Sequence, residues 1–416
     1  MIDLKLLRAS PAQVRAALGR RGDPSLTRLL DEIEALDMKR RTLTAQLDTL
    51  KAERNDAARS DALAAKSGGL STAIVAERRK LGERITGFES ELRQVETTLE
   101  AKALFVPNPP LPDVPDEQTT LRSWGTPAPK GGKPHWEIAE QLGILDLAAG
   151  AKLAGSGFPV LRGMGARLAR ALINFMLDLH TREYGYIEVE PPFLVRRDVM
   201  TGTGQLPKFE HDVYRTTDDL FLIPTAEVPL TNLHRDEIID RPLPLGYVAY
   251  TPCFRREAGA AGKDTRGLLR VHQFDKVELV RFCHAADSPA EHEKLTGHAE
   301  EVLRRLELPY RVAVLPANDF GFAAGKTYDL EAWAPGVGQW LEVSSSSTFT
   351  DFQARRANIR CRPRPGEKPE FVHTLNASGV ALPRTIAALL ETHQQSDGSV
   401  TVPPALVPYV GTDRLA

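Results

Sequence analysis

Two runs of mostly apolar residues, stepping alternately by four and three, fix what the first hundred residues can become. The first runs Leu29, Ile33, Leu36, Arg40, Leu43, Leu47, Leu50 and Arg54, and the second Leu81, Ile85, Phe88, Leu92, Val95 and Leu99. This heptad spacing keeps one stripe of a helix against a partner helix. Between the runs lies Ser67-Gly68-Gly69, where glycine tolerates the positive φ of a tight turn. Two seams joined by a turn predict a long antiparallel helical hairpin, a coiled coil. At 1.5 Å per residue, helices of about 40 residues reach roughly 60 Å, so the hairpin is expected to project as an arm.

The charges on the arm are uneven. Lys51, Arg54, Arg59, Lys66, Arg78, Arg79, Lys80 and Arg84 crowd toward the turn, against fewer acids (Glu53, Asp56, Asp61, Glu77 and Glu83). A basic tip on a rod suits a phosphate backbone. A dimer zipper or an ordinary solvated face is the alternative for the same residues. Bulk charge does not choose between them: 53 Lys and Arg against 55 Asp and Glu leave −2, so any RNA contact must come from a local patch.

Residues 107–134 are dense in proline and glycine, including Pro109-Pro110, Pro127, Pro129 and Gly131-Gly132. Proline at that density stops helices. The stretch reads as a linker, with a domain boundary near residue 110. A chain of 416 residues with 42% hydrophobic content accommodates two domains, one of them large. Cys253, Cys283 and Cys361 are isolated and lack metal-ligand spacing, which predicts a reduced, cytoplasmic protein. The N-terminus carries Asp3, Lys5 and Arg8 and no long apolar run, so neither a signal peptide nor a membrane span is expected.

Beyond residue 135 the texture becomes mixed. Residues 164–183 carry Leu168, Leu172, Phe175, Met176 and Leu179 on one helical face. Short β-rich runs then alternate with turns and helices, predicting an α+β fold with a largely antiparallel sheet flanked by helices. Gly321 through Thr327 ends in Gly-Lys-Thr, but its spacer is one residue short of a phosphate loop. His234-Arg235-Asp236 imitates a kinase catalytic loop without the downstream partners. No glycine fingerprint leads from a strand into a helix, which argues against a dinucleotide fold.

The informative segment is 250–283. Phe254-Arg255-Arg256-Glu257 ends one expected strand, a glycine- and charge-rich loop follows, and a second strand resumes near Val271. An arginine on a strand beside a basic loop suits a polyphosphate: Arg255 can hold an α-phosphate bidentately, Arg270 can reach from the loop, and Phe274 can stack on a purine. A surface hairpin with scattered charges is the plainer account.

The segment 254–279 resembles motif 2 of class II aminoacyl-tRNA synthetases, in the form found in seryl-tRNA synthetases of bacterial type. Residues 164–192 resemble motif 1, the class II dimer element. Residues 200–215, 222–238, 341–356 and 373–391 are similar to further signature stretches of that family, the last holding the motif 3 arginine as Arg384. The resemblance covers nearly the whole chain and divides it into a tRNA-binding domain over 1–110 and a class II catalytic domain over 111–416. Two details depart from the commonest pattern: Asn376-Ala377-Ser378, where glycine often stands in the middle, and Ser346-Ser347, where cysteine or asparagine is frequent.

The resemblance implies a ligase that activates serine with ATP to seryl-adenylate and transfers it to the 3′ end of tRNA(Ser), and also of tRNA(Sec). It implies that Thr225, Glu227, Arg255, Glu278, Asn376 and Ser378 bind serine, with Glu278 accepting a hydrogen bond from its hydroxyl. ATP falls to Arg255, Glu257, Arg270, Phe274, Glu342, Ser345 and Arg384, with Mg²⁺ held by Glu342 and Ser345. Arg255 and Arg384 are the implied catalytic residues, and Lys51, Arg54, Arg59, Arg78, Arg79 and Lys80 the implied RNA contacts. A homodimer is implied, in which each arm serves the other subunit's active site. Two rival readings are a paralogue that hands its amino acid to another acceptor and a non-catalytic RNA-binding descendant. The arm argues against the first, and Arg255, Glu257, Glu342 and Arg384 together argue against the second.

Overall fold

The computed structural model describes residues 1–65, 71–257, 266–364 and 366–416. Lys66, the expected turn at Ser67-Gly68-Gly69 and the stretch 258–265 of the basic loop therefore lie outside the described residues. The chain divides into two compact units, Met1–Pro107 and Asn108–Ala416.

The first unit is helical: α1 (Leu4–Ala9), α2 (Pro11–Gly19), α3 (Ser25–Ala65) and α4 (Thr72–Ala103). Asp3 opens α1 by accepting the Lys5 N–H at 2.8 Å, and Pro11 starts α2 where a missing N–H costs nothing. Leu7, Val14 and Leu18 of these two helices pack on Leu26, Leu30, Ile33, Leu99 and Ala103. That packing turns the base of the seam. Leu26 and Leu30 are fully buried, whereas the expected Leu29 and Leu36 are only partly so. Each full burial contributes about 1.5–3 kcal/mol. Further along, Leu47, Leu50 and Ile85 form a separate cluster with Leu81, Phe88 and Leu92 packed against it. The predicted pair of helices is present but unequal. α3 has 41 residues and α4 has 32, so α4 spans about 48 Å, short of the expected 60 Å.

The seam has polar interruptions. Asp37 is buried and pairs with Arg8 at 3.3 Å and with Arg40 at 2.8 Å, which explains how Arg40 occupies an apolar register. Arg54 is exposed.

The second unit is built on an eight-stranded sheet. Its strands are β1 (Thr119–Trp124), β2 (Ile187–Glu188), β3 (Leu245–Phe254), β4 (Gln273–Cys283), β5 (Tyr310–Val314), β6 (Lys326–Ala334), β7 (Gln339–Thr348) and β8 (His373–Ala381). They lie in the order β1-β5-β6-β7-β8-β4-β3-β2. All pairs are antiparallel except β2 with β3. The stretch read as a linker thus contributes an edge strand, β1, because Thr119–Trp124 falls between the prolines and pairs with β5. Helices α5 (Met164–Arg182), α6 (Ser288–Arg305) and α7 (Leu382–His393) contribute to the core over the sheet. Leu168, Leu172, Phe175, Met176 and Leu179 of α5 are all buried, as their spacing predicts. No helix among the described residues is long and apolar enough to cross a membrane.

Two irregularities in the central strands aim side chains. Across β6 and β7, Ser345 faces Asp329 and Ser344 faces Leu330, yet Glu342 faces Glu331. The extra residue, Val343, reverses the alternation. Glu342 and Ser345, three apart and destined for opposite faces of a regular strand, therefore share one face. Gly379 does the same in β8, between Ser378 opposite Glu278 and Val380 opposite Val277. A Cβ at Gly379 would stand 3.0 Å from His180 Nε2 and 3.3 Å from Val277 Cγ1, too tight for a larger residue without movement.

Candidate active site

A cavity of about 430 Å³ opens over β3, β4, β7 and β8. Its wall includes Thr225, Glu227, Arg255, Glu257, Arg270, Phe274, Glu342, Ser345, Asn376, Ser378 and Arg384. These are the residues singled out from the sequence for ATP and serine, with one exception. Glu278 has no exposed surface and sits just behind the wall. β4 is an inner strand between β8 and β3, so Glu278 faces protein and not water.

Strand parity explains one end of the site. Lys276 and Glu278 are two apart on β4 and share a face, while Ser378 lies directly opposite Glu278. The Glu278 carboxylate receives Lys276 Nζ at 2.5 Å, Asn376 Nδ2 at 2.7 Å and the Ser378 hydroxyl at 3.4 Å. Lys276 also donates to Thr225 Oγ1 at 2.8 Å. Asn376 Nδ2 shares itself with Glu227, 3.1 Å away, and Gln353 Nε2 reaches the other Glu227 oxygen at 2.5 Å. Gln353 is held in turn by the Thr374 hydroxyl at 2.7 Å. Burial, and then the negative charge of Glu278, push the Glu227 carboxyl up to about 7. Thr225 Oγ1 also accepts the Glu227 N–H at 3.3 Å, although the helix Glu227–Asn232 has no side-chain cap.

At the other end, Arg255 leaves β3 with its guanidinium 5.1 Å from the centre of the Phe274 ring and its Nε 3.4 Å from the Pro224 carbonyl. Arg270 is not a loose arm; it forms an ion pair with Glu257. Arg384 is clamped by the Leu269 carbonyl at 3.0 Å, the Glu342 carbonyl at 2.9 Å and the Glu342 carboxylate at 3.2 Å. Beside Glu342 lies Asp329, whose Oδ1 is buried without a hydrogen-bond partner. Burial, and then the Glu342 charge, push the Asp329 carboxyl up to about 8.

Lys276, Gln353 and Asp329 are absent from the sequence reading. Lys276 was within reach, since a strand period of two places it beside Glu278. Gln353 and Asp329 come from other elements, and nothing local marks them.

In the first unit, the nominated basic residues lie on α3 and α4. Several are engaged with acids of the same hairpin: Lys51 with Glu89 at 2.9 Å, Arg59 with Asp56 at 3.4 Å, Arg78 with Asp61 at 3.0 Å and Arg79 with Glu83 at 3.0 Å. Arg54 and Lys80 are exposed.

An antiparallel sheet that gathers arginines, a carboxylate corner and a small polar pocket on one face defines a class II aminoacyl-tRNA synthetase. Residues 208–393 match the family described as tRNA synthetase class II core domain (G, H, P, S and T), and residues 1–110 match Seryl-tRNA synthetase N-terminal domain. The serine–tRNA ligase of Gemmatimonas aurantiaca is 55% identical over 100% of both chains, and that of Pelobacter propionicus is 53% identical over 99% of both. The crystal structure of seryl-tRNA synthetase from Pyrococcus horikoshii, complexed with ATP, superimposes with a TM-score of 0.95 at 40% identity, covering 100% of this chain and 99% of that one. The chain belongs to the serine–tRNA ligase family.

Proposed function

We propose that this cavity carries out serine activation and that the helical hairpin of the first unit selects the RNA acceptor. The family's reaction is this chain's own: serine and ATP give seryl-adenylate and pyrophosphate, and serine then passes to tRNA(Ser). One observation carries the site-level reading. A chain of buried hydrogen bonds, Thr225–Lys276–Glu278–Asn376–Glu227, closed by the Glu227 N–H on Thr225 Oγ1, backs the cavity that Arg255 also lines.

In this reading Glu227 and Thr225 take the serine ammonium, and the serine hydroxyl displaces the long Ser378 contact to bond Glu278. Arg255 neutralises the α-phosphate as the serine carboxylate attacks it, while Phe274 and Arg384 flank the base. The ribose 3′-hydroxyl of the terminal adenosine then attacks the activated carbonyl. No protein nucleophile takes part; alignment and charge neutralisation do the chemistry. The ionisation of Glu227 gives this a pH signature. kcat/KM for serine should fall about tenfold per pH unit below 7, where the carboxyl gains its proton, and level off above it. Glu227→Gln should flatten that profile. A wild-type profile already flat from about pH 5 to 8 would remove Glu227 from ammonium binding.

Mg²⁺ fits the acidic corner. Glu342 and Ser345 would hold it, and the buried Asp329 oxygen without a hydrogen-bond partner, repelled by the Glu342 charge, supports a cation there beside Arg384, which already pairs with Glu342. When bound, the ion supplies charge neutralisation between phosphates. Glu342→Gln should raise the Mg²⁺ needed for half-maximal exchange about tenfold with little change in serine KM. An unaltered Mg²⁺ dependence would place the ion elsewhere.

A homodimer, a second acceptor in tRNA(Sec) and a cytoplasmic location belong to the same proposal. Exposed Ile187, Phe193 and Leu194 support the first, recognition of stem shape by the arm supports the second, and three free, buried cysteines support the third. Sedimentation, charging of a tRNA(Sec) transcript and fractionation decide them; a monomer, an uncharged transcript or export would each remove one.

A further inference from the structure

Away from the cleft, the fold gathers three donor side chains that share no spacing in the sequence. Cys361 and Glu370 face each other across the short antiparallel ladder of Arg360–Cys361 and Glu370–Phe371. His284 follows the end of β4 and turns Nδ1 toward both. Its Nδ1 lies 3.5 Å from Cys361 Sγ and 3.9 Å from Glu370 Oε1, and all three donor atoms fall within 4.8 Å of one another. Cys361 is buried, His284 half-buried and Glu370 exposed.

We propose that His284, Cys361 and Glu370 form a site for a divalent cation of zinc type, outside the serine–ATP cleft. The alternative use of such a trio is a thiol–imidazole–carboxylate relay, and the geometry excludes it. A relay needs the thiol and the carboxylate on opposite ring nitrogens, whereas here both face Nδ1. Three donor atoms of ligand type therefore face one point. With Zn–S of about 2.3 Å and Zn–N of about 2.0–2.1 Å, a tetrahedral ion sets sulfur and nitrogen about 3.5 Å apart, the separation found. The matching nitrogen–oxygen edge is about 3.4 Å, which the exposed Glu370 reaches by a small rotation. Mixed sulfur, nitrogen and oxygen donors suit zinc better than magnesium or calcium, and a water would complete the shell.

Burial, and then Glu370, push the Cys361 thiol up to about 11, so without the ion it stays protonated at neutral pH. Binding would release that proton to solvent as the thiolate coordinates. The ion would tie the ladder, which also pairs in parallel with Ile238–Ile239, to the end of the strand that carries Glu278.

The test uses the full chain, stripped with a chelator, dialysed, and titrated with zinc chloride or, separately, cobalt chloride. One zinc per chain is expected, and a thiolate-to-cobalt charge-transfer band in the near ultraviolet. Cys361→Ser should abolish the band and weaken zinc binding about tenfold or more. Glu370→Gln, at an exposed position that does not threaten folding, should keep the band and weaken zinc about tenfold. Serine-dependent pyrophosphate exchange should be unchanged in Glu370→Gln. Failure to take up stoichiometric zinc, a band that survives Cys361→Ser, or undiminished zinc affinity in Glu370→Gln would each overturn the proposal.

Discussion

Glu278→Ala should lower kcat/KM for serine in pyrophosphate exchange by roughly 10²–10³-fold while leaving the affinity for ATP intact. Two effects add. The substitution removes the proposed acceptor for the substrate hydroxyl, and a hydrogen bond to a charged group contributes about 1.5–3 kcal/mol. It also leaves Lys276 beside an empty space, although Lys276 is buried and now has the Glu278 carboxylate at 2.5 Å. A buried charge without its counterion costs several kcal/mol, so part of the loss could be structural. Glu278→Gln keeps the shape and an oxygen for Asn376 but also leaves Lys276 without its counterion, so its melting temperature should fall as well. Assayed at a temperature where it is folded, it should discriminate poorly between serine and alanine, since the neutral amide holds a hydroxyl less strongly than a carboxylate; that ratio does not depend on stability. Wild-type exchange in both variants would take hydroxyl recognition away from Glu278. The weaker barrier is against threonine, where one extra methyl is worth about 1–3 kcal/mol of discrimination.

The second large effect concerns the arm. Excising 41–90 and closing the gap with a short glycine linker should reduce charging of tRNA(Ser) by about 10³-fold or more, with serine-dependent exchange near normal. The cut is chosen from the packing. It removes Leu47, Leu50 and Ile85, the cluster midway along the hairpin, but spares Leu26, Leu30, Ile33 and Leu99 at the base and the cross-helix pair of Lys39 with Glu91 at 2.8 Å. All six nominated basic residues go with it. The intact chain should lose charging steeply as salt rises, because each phosphate contact formed releases counterions and added salt opposes that release. Several of those cations already face acids of the hairpin, Lys51 and Arg78 across to the other helix. The number of phosphates read from the salt slope should therefore fall below the number of basic residues. Undiminished charging by the excised chain would refute the arm's role.

Much of the architecture was legible because periodicity is a local signal. The heptad seams yield α3 and α4, and the apolar face of residues 164–183 yields α5. What escaped has physical reasons. The helices α1 and α2, of six and nine residues, are too short for a 3.6-residue pattern to build up. The edge strand Thr119–Trp124 is exposed along most of its length, so no apolar alternation marks it among the prolines. In the cleft, resemblance located residues but not their depth. Glu278 lies behind the wall because Lys276, Asn376 and Ser378 close over it. The shared face of Glu342 and Ser345 depends on a bulge at Val343, which strict alternation forbids and only pairing with β6 reveals. The trio of His284, Cys361 and Glu370 is the extreme case, since 77 residues separate the histidine from the cysteine.

The central claim is a division of labour: one polar cleft makes the adenylate, and a separate helical hairpin chooses the RNA. Parallel assays of exchange and tRNA(Ser) charging on Glu278→Ala and on the chain lacking 41–90 test it most directly. The first variant should fail in both assays, and the second only in charging. Exchange lost along with the hairpin, or kept without the Glu278 carboxylate, would contradict the account.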